Sequence, residues 1–271
     1  MKTFEQKYYE SDEFWKDGMV TDKYNLMRIR KCIELVPQET KTLVDLGCGN
    51  GIFAWMLKDT RPEIDSLSVD RSETAVKYVK TRSAVGDLTD LPFETQSFDC
   101  ATCFEVLEHI PYPVYSNVLG ELSRVAKKYI LISVPFEERI EDDFTKCPAC
   151  GAFFNLELHL RKYLTTDIQN LFSKNGFECI ERQAIVKYNE SYLGVKSYIR
   201  FRNAYLQNKG RFKSPVCPIC GFENKYFNIS SGGLSTTDID NKPLSLKSVL
   251  KKYWPKVKVK AQWIVALYQR K

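Results

Sequence analysis

The sequence predicts an α/β protein built on a doubly wound parallel sheet, and three observations carry that expectation. Short apolar runs at Leu43–Leu46, Ser66–Val69, Asp99–Phe104 and Tyr129–Val134 read as strands buried on both faces. Amphipathic stretches separate them, and strands that alternate with helices imply parallel pairing through crossover connections. A glycine-rich turn follows the first run directly, at the sheet edge where open α/β folds bind their ligands.

The elements follow in order. Residues 1–40 read as a helical lid: Leu26, Ile29, Ile33 and Val36 recur at helical spacing, after an aromatic segment holding Tyr8, Tyr9, Phe14 and Trp15. The first strand gives way to a helix at Ile52, and a third strand ends in Gly86-Asp87-Leu88. Val114, Val118, Leu122 and Val125 form the apolar stripe of a helix lying on the sheet. A further helix is expected from an N-cap at Thr166 to Gly176, with Ile168, Leu171 and Phe172 on its inner face. The core thus spans 41–186. Residues 187–250 are a basic, aromatic insertion with helical content at Tyr192–Leu206 and a mobile loop at Ser230–Thr237, and 251–271 return to the core through a strand at Val257–Tyr268.

Composition narrows the function classes. A chain of 271 residues with 44% apolar side chains is no disordered polymer. Its longest apolar runs, such as Trp263–Tyr268, fall far short of the roughly 20 residues that span a bilayer. The first ten residues are too polar for a secretory signal, so a cytoplasmic location is expected. The net charge of +6 conceals an asymmetry: 17 Lys and Arg face 4 Asp and Glu from Lys187 onward, giving +13 there and −7 before it. A basic half suits an anionic acceptor, nucleic acid or an acidic protein.

The glycine turn is Val44-Asp45-Leu46-Gly47-Cys48-Gly49-Asn50-Gly51. Its glycines permit a tight turn and close ligand approach, and the helix start offers N–H groups to an anion. The second strand ends in Asp70, where a carboxylate can hold both hydroxyls of a ribose. Asp87, at the end of the third, can accept the exocyclic amine of an adenine, with Leu88 against the ring. These residues, with Ser97-Phe98-Asp99-Cys100-Ala101 and Glu105-Val106-Leu107-Glu108-His109, resemble the class I S-adenosylmethionine-dependent methyltransferases over roughly 140 residues. The resemblance implies a Rossmann-like, seven-stranded sheet whose last strand is antiparallel. It implies that Asp45 and the turn Gly47, Cys48, Gly49 and Gly51 hold the methionine end, Asp70 with the adjoining Arg71 the ribose, Asp87 and Leu88 the adenine, and that Phe104 and Glu105 line the pocket.

Cys147-Pro-Ala-Cys150-Gly and Cys217-Pro-Ile-Cys220-Gly are two copies of one metal-binding turn, and together they supply the four thiolates of a structural zinc site. In the class I topology the zinc would staple two insertions over the substrate pocket. A redox iron is the chemical alternative. Cys100 and Cys103 share the spacing but lie in a strand, where they face opposite ways, so they read as core residues, as do Cys32, Cys48 and Cys179.

The chain has two histidines, His109 after the fourth strand and His159 after the first knuckle, and both map to the reactive edge. The resemblance places His109 in the loop beneath the cofactor; His159 is the preferred base for an acceptor hydroxyl, with His109 the second catalytic candidate. The expected function is methylation, at oxygen, of a small or conjugated acceptor such as a sugar, glycan or specialised metabolite. The alternatives are an RNA methyltransferase using the basic half and the zinc ribbon, and a non-catalytic scaffold that binds the cofactor.

Overall fold

The computed structural model describes residues 9, 10, 12, 15, 23–138, 140, 144–147, 149–155, 157–186, 217, 219–221 and 261–271. Two compact units emerge, one comprising 1–140, 158–185 and 261–271, the other 141–157 and 186–260. The sequence expectations for Tyr8, Phe14, Tyr192–Leu206, Ser230–Thr237 and Val257–Lys260 lie outside the described residues.

The first unit holds α1 (Lys23–Glu34), β1 (Thr42–Leu46), α2 (Ile52–Thr60), β2 (Asp65–Asp70), α3 (Glu73–Lys77), β3 (Ser83–Val85), β4 (Phe98–Phe104), α4 (Tyr112–Val125) and β5 (Ala126–Pro135). In the second unit β6 (Phe144–Lys146) pairs antiparallel with β7 (Phe153–Asn155). The first unit resumes with α5 (Thr165–Asn170), β8 (Phe177–Val186) and β9 (Ala261–Arg270). One seven-stranded sheet runs in the order β3-β2-β1-β4-β5-β9-β8. Neighbours from β3 to β5 pair in parallel, and β9 lies antiparallel to β5 from Tyr129↔Gln269 to Pro135↔Trp263. The doubly wound class and the reversed last strand are both present.

Alternation along the strands builds two apolar layers. Ile130, Ile132 and Val134 of β5 and Ile264, Ala266 and Tyr268 of β9 pack on α4, α5 and the turn after α5, through Val118, Leu122, Val125, Ile168 and Phe172. Tyr129, Leu131, Trp263, Val265 and Leu267 face the other way, onto Ile29, Cys32 and Ile33 of α1 and Phe53 and Leu57 of α2. Tyr268 is fully buried because its hydroxyl donates to the Ile168 carbonyl at 2.6 Å.

Details depart from the sequence expectations for local reasons. Val114 is 36% exposed, being in the first turn of α4, and Leu119 takes its place on the buried face. The N-cap of α5 is Leu164, not Thr166: its N–H donates to the Asp167 carboxylate at 2.8 Å, three residues on. Gly176 does terminate this region in the left-handed conformation, φ 83°. Cys32, Cys100 and Cys103 are core residues, whereas Cys48 and Cys179 are only half-buried. Among the described residues no helix is long and apolar enough to cross a membrane.

Leu131 sits at 0% exposure in the middle of β5. Leu131→Ala should therefore lower stability by about 2–5 kcal/mol. The check is a lower urea midpoint at unchanged slope; a loss under about 1 kcal/mol would show that the layer beneath the sheet can collapse around the gap.

Candidate active site

Three backbone turns at the carboxyl ends of β1, β2 and β3 build one side of the site. Gly47, Gly49 and Gly51 have φ of 77°, 54° and 76°. A side chain at Gly47 would overlap Val106, and a Cβ at Gly49 would lie 2.8 Å from the Trp15 ring. The N–H groups of Gly47 and Cys48 donate to the Val69 carbonyl at 2.8 and 3.0 Å, tying the turn to β2. No side chain caps the start of α2 at Gly51, so its first-turn N–H groups are available to an anion.

Two buried carboxylates flank the turn. Asp45 is 2% exposed and accepts the Thr102 hydroxyl at 2.9 Å; burial pushes its carboxyl up to about 7. Asp70 accepts N–H bonds from Gly49 and Ser72, each at 2.8 Å. Burial raises Asp70 too, and these two bonds oppose it. Asp87 is exposed and accepts from both the N–H and the hydroxyl of Thr89, while Leu88 turns inward and packs in the core. A cavity of about 180 Å³ lies between, lined by Tyr9, Glu10, Arg71, Ser72, Gly86 and Asp87 among others. Trp15, 6% exposed, stands against Gly49 and donates its indole N–H to the Tyr9 carbonyl at 2.6 Å. Glu10 accepts the Thr74 N–H at 3.2 Å. The expected lid was an aromatic signal alone; Glu10 and Ser72 had no readable motif.

At the end of β4, Phe104 is half-buried with its ring 4.7 Å from Phe53, edge to face. Glu105 begins the turn with φ 56° and accepts the Ser133 hydroxyl at 2.6 Å. Arg28 of α1, 4% exposed, donates to the same hydroxyl oxygen at 2.9 Å and lies 3.8 Å from Glu105. The helical stripe of α1 gave no reason to place Arg28 here.

The two histidines come together, although 49 residues separate them. Their rings are 4.8 Å apart, tilted at 66°. His109 Nδ1 donates to the Leu158 carbonyl at 3.3 Å, which leaves its lone pair on Nε2. Burial, then the His159 neighbour, holds His109 down to about 3. His159 Nδ1 bonds Glu138 at 2.5 Å. Glu108, 0% exposed, lies beside them with Oε1 3.9 Å from His109 Nε2. The described residues include four non-glycine positions of positive φ, and three of these adjoin the cluster: Glu105, Glu137 and Leu158. Such strain collects where side chains must be aimed against local preference.

Residues 44–131 match the family described as a methyltransferase domain. That match covers the glycine turn, Asp70, Asp87 and the His109 turn. Residues 44–131 are a methyltransferase domain. Among curated relatives, an uncharacterised protein of Methanocaldococcus jannaschii is 30% identical over 106 residues, 37% of this chain and 44% of that protein. A ubiquinone biosynthesis O-methyltransferase of Hahella chejuensis is 29% identical over 97 residues, 32% of this chain and 39% of that one. The chain therefore matches less than half the length of these relatives. In fold, it is similar over 100% of its length, at a TM-score of 0.58 and 14% identity, to 99% of a chain in the complex of the Haloferax volcanii Trm112 methyltransferase activator. It is likewise similar, at 0.51 and 17%, to magnesium protoporphyrin IX methyltransferase of Synechocystis PCC 6803 with bound SAH, covering 69% of this chain and 93% of the other. A [4+2]-cyclase, SpnF, scores 0.51 at 15% identity, covering 90% and 80%. The sheet is thus the class I methyltransferase fold, and fold alone does not fix the reaction.

The four knuckle cysteines lie outside the methyltransferase domain match. In the second unit Cys147 Sγ is 3.6 Å from Cys220 Sγ, and Cys150 Sγ is 3.7 Å from Cys217 Sγ. All four sulfurs fall within 4.8 Å of one another. Each turn is closed alike: Gly151 N–H donates to Cys147 O at 2.8 Å and Gly221 N–H to Cys217 O at 2.9 Å, with φ of 75° and 71° at the glycines. The sequence pattern had paired these residues across 66 intervening positions, and the structure brings them together.

Asp45 gives the site a pH signature. Its carboxyl moves from the ordinary 3.8 to about 7 on folding, so between these values the folded state binds more protons than the unfolded chain. Its stabilising contribution is present below about pH 4 and lost as pH rises through about 7. Asp45→Asn should flatten the fall in stability between about pH 5 and 7, read from urea midpoints. Wild-type and variant curves of equal slope would show that Asp45 titrates normally.

Proposed function

We propose that the protein is an S-adenosylmethionine-dependent methyltransferase acting on a hydroxyl of a small or conjugated molecule. The observation that carries this reading is the set of groups at the carboxyl ends of β1 to β3: a glycine turn open to backbone approach, buried Asp45 and Asp70, and Asp87 at the rim of the same cavity. These residues suit the cofactor. Asp45 would face the methionine ammonium, the α2 start its carboxylate, Asp70 with Arg71 the ribose, and Asp87 the adenine. When bound, S-adenosylmethionine supplies an electrophilic methyl group on a sulfonium.

The chain's part is alignment and removal of the acceptor proton. With no ion bound, that proton is assigned to His159, whose ring Glu138 orients at 2.5 Å. His109 is committed through Nδ1 to the Leu158 carbonyl and supports the turn. The curated O-methyltransferase relatives favour oxygen as the acceptor atom. A cytoplasmic setting and a sugar, glycan or specialised metabolite as acceptor remain part of this reading. The basic carboxy-terminal half, +13 from Lys187, favours an anionic acceptor, and RNA is the competing substrate class.

Calorimetry with S-adenosylmethionine and its demethylated product tests the cofactor assignment. Both should bind the wild type. Asp70→Ala leaves the ribose and two backbone N–H groups without their acceptor, which should weaken binding by about 1–3 kcal/mol. Equal affinity in the variant would remove Asp70 from the site, and no binding to the wild type would end the proposal.

We also assign one structural zinc to Cys147, Cys150, Cys217 and Cys220. Tetrahedral thiolates at about 2.3 Å from zinc stand about 3.8 Å apart, close to the 3.6 and 3.7 Å between sulfurs. Four thiolates leave no open position, so zinc would supply folding energy to the second unit and no chemistry. Metal analysis of protein prepared without chelators should find tightly held zinc, and Cys217→Ser should lower the content by one per chain with the methyltransferase domain still folded. A zinc-free wild type would refute the assignment.

A further inference from the structure

The cluster of Glu108, His109 and His159 holds an unexplained feature. Both Glu108 carboxyl oxygens are fully buried without a hydrogen-bond partner. Burying a carboxyl in this way is costly unless something compensates it. His109 Nε2 is 3.9 Å from Oε1, beyond hydrogen-bond reach but close enough to share an ion. One donor atom from each of Glu108, His109 and His159 lies within 4.8 Å of the other two.

We propose that these three side chains bind a divalent first-row transition metal, at a site separate from the four cysteines. The ring orientations are those of metal-binding imidazoles. His109 gives its Nδ1–H to the Leu158 carbonyl and His159 directs its Nδ1 at the Glu138 carboxylate. A carbonyl or carboxylate on Nδ1 fixes the tautomer that carries its lone pair on Nε2, the arrangement that supports ligating histidines. The metal's class follows from the donors. Two imidazoles and one carboxylate suit Mn²⁺, Fe²⁺, Co²⁺ or Zn²⁺ better than Mg²⁺, which prefers oxygen alone. Distances of about 2.0–2.2 Å to each donor would draw the three atoms to about 3–3.5 Å apart. Three protein ligands leave positions open, unlike the closed cysteine site.

The role of this ion rests on the methyl-transfer reading, whereas its existence does not. An acceptor hydroxyl beside the cation becomes more acidic. Its proton leaves to water, and the oxygen keeps the electron pair that forms the new O–C bond. The C–S bond breaks, and its pair returns to sulfur. His159 then serves as a ligand, and Glu138 positions it.

His109 and His159 are the chain's only histidines, so the test can read both without a variant. The full chain, ¹⁵N-labelled and brought to one zinc per molecule so that only the four thiolates are filled, is titrated with Mn²⁺, which competes poorly for thiolates. Imidazole ¹⁵N spectra should show both rings broadened at one Mn²⁺ per chain. Glu108→Gln should weaken that site at least 10-fold while the protein remains folded by circular dichroism. If the variant fails to fold, Co²⁺ added to the wild type should give visible bands of a nitrogen- and oxygen-ligated ion, and their absence would overturn the site. Spectra in which neither ring or only one responds, or equal Mn²⁺ affinity in a folded Glu108→Gln, would also overturn it. Calorimetry with S-adenosylmethionine on the same samples separates the two readings. Cofactor binding without Mn²⁺ binding sinks the metal site alone, and Mn²⁺ binding without cofactor binding keeps the site but removes its role in methyl transfer.

Discussion

The Asp70 carboxylate is the bond on which the cofactor side of the protein depends. It accepts one N–H from Gly49, in the turn after β1, and another from Ser72, in the turn after β2. Two loops from neighbouring strands are thereby held in one register by a single side chain. The Gly47 and Cys48 N–H groups add a second tie, to the Val69 carbonyl. Each bond uses a backbone donor that would otherwise be buried without a partner, so the turn can close tightly without stranding these N–H groups. Burial favours the neutral acid at Asp70, and the two N–H bonds favour the carboxylate. A carboxylate accepts up to about four bonds, so acceptor capacity is left for ligand hydroxyls.

That same closure limits the space. The cavity of about 180 Å³ is below the roughly 300–1,000 Å³ of common ligand pockets. The reason lies in the amino-terminal segment. Trp15 sits against Gly49, and its indole N–H, the Tyr9 carbonyl and the Ser72 hydroxyl form one chain of hydrogen bonds. The Ser72 hydroxyl also accepts the Ala75 N–H and so caps α3. Trp15, lying over Gly49, is thus tied through the Tyr9 carbonyl to the cap of α3.

How far the sequence discloses this depends on the range of the interaction. Parallel strands buried on both faces announce themselves as continuous apolar runs, so β1, β2, β4 and β5 were legible to within a few residues. The reversed β9 was legible from family resemblance and its long apolar run. The glycine turn and the cysteine knuckles are local patterns with chemical meaning, and each could be read from its own residues. Side chains joined only by the fold could not. Arg28 sits on a helix whose apolar stripe explains it as a solvated residue, yet it is buried against Ser133. Glu138 follows a strand end with no motif and orients His159 from 21 positions away. The burial of Leu88 in the core beside exposed Asp87 was likewise not readable from the motif, which marks both residues alike.

The two sides of the site solve different electrostatic problems. Around the glycine turn, buried carboxylates meet N–H or hydroxyl donors, so the hydrogen bonds of Asp45 and Asp70 stabilise negative charge against burial and the repulsion of neighbouring carboxylates. Around His109 the order is reversed. Glu108 is buried without hydrogen-bond donors, a neighbouring Glu105 raises its carboxyl further after burial does, and the nearby imidazole is itself held neutral. In the proposed reading, a cofactor with an ammonium and a sulfonium would bring the first arrangement the positive charge that favours the ionised form of Asp45, which burial pushes up to about 7. In the second, the Arg28 guanidinium draws Glu108 down but does not offset burial and Glu105, which leaves a shortage of positive charge, and an acceptor hydroxyl, being neutral, brings none. Three strained backbone positions hold these groups together despite that shortage. The fold therefore spends conformational energy to aim acidic and imidazole groups at one point, which is what a cation on the acceptor side requires.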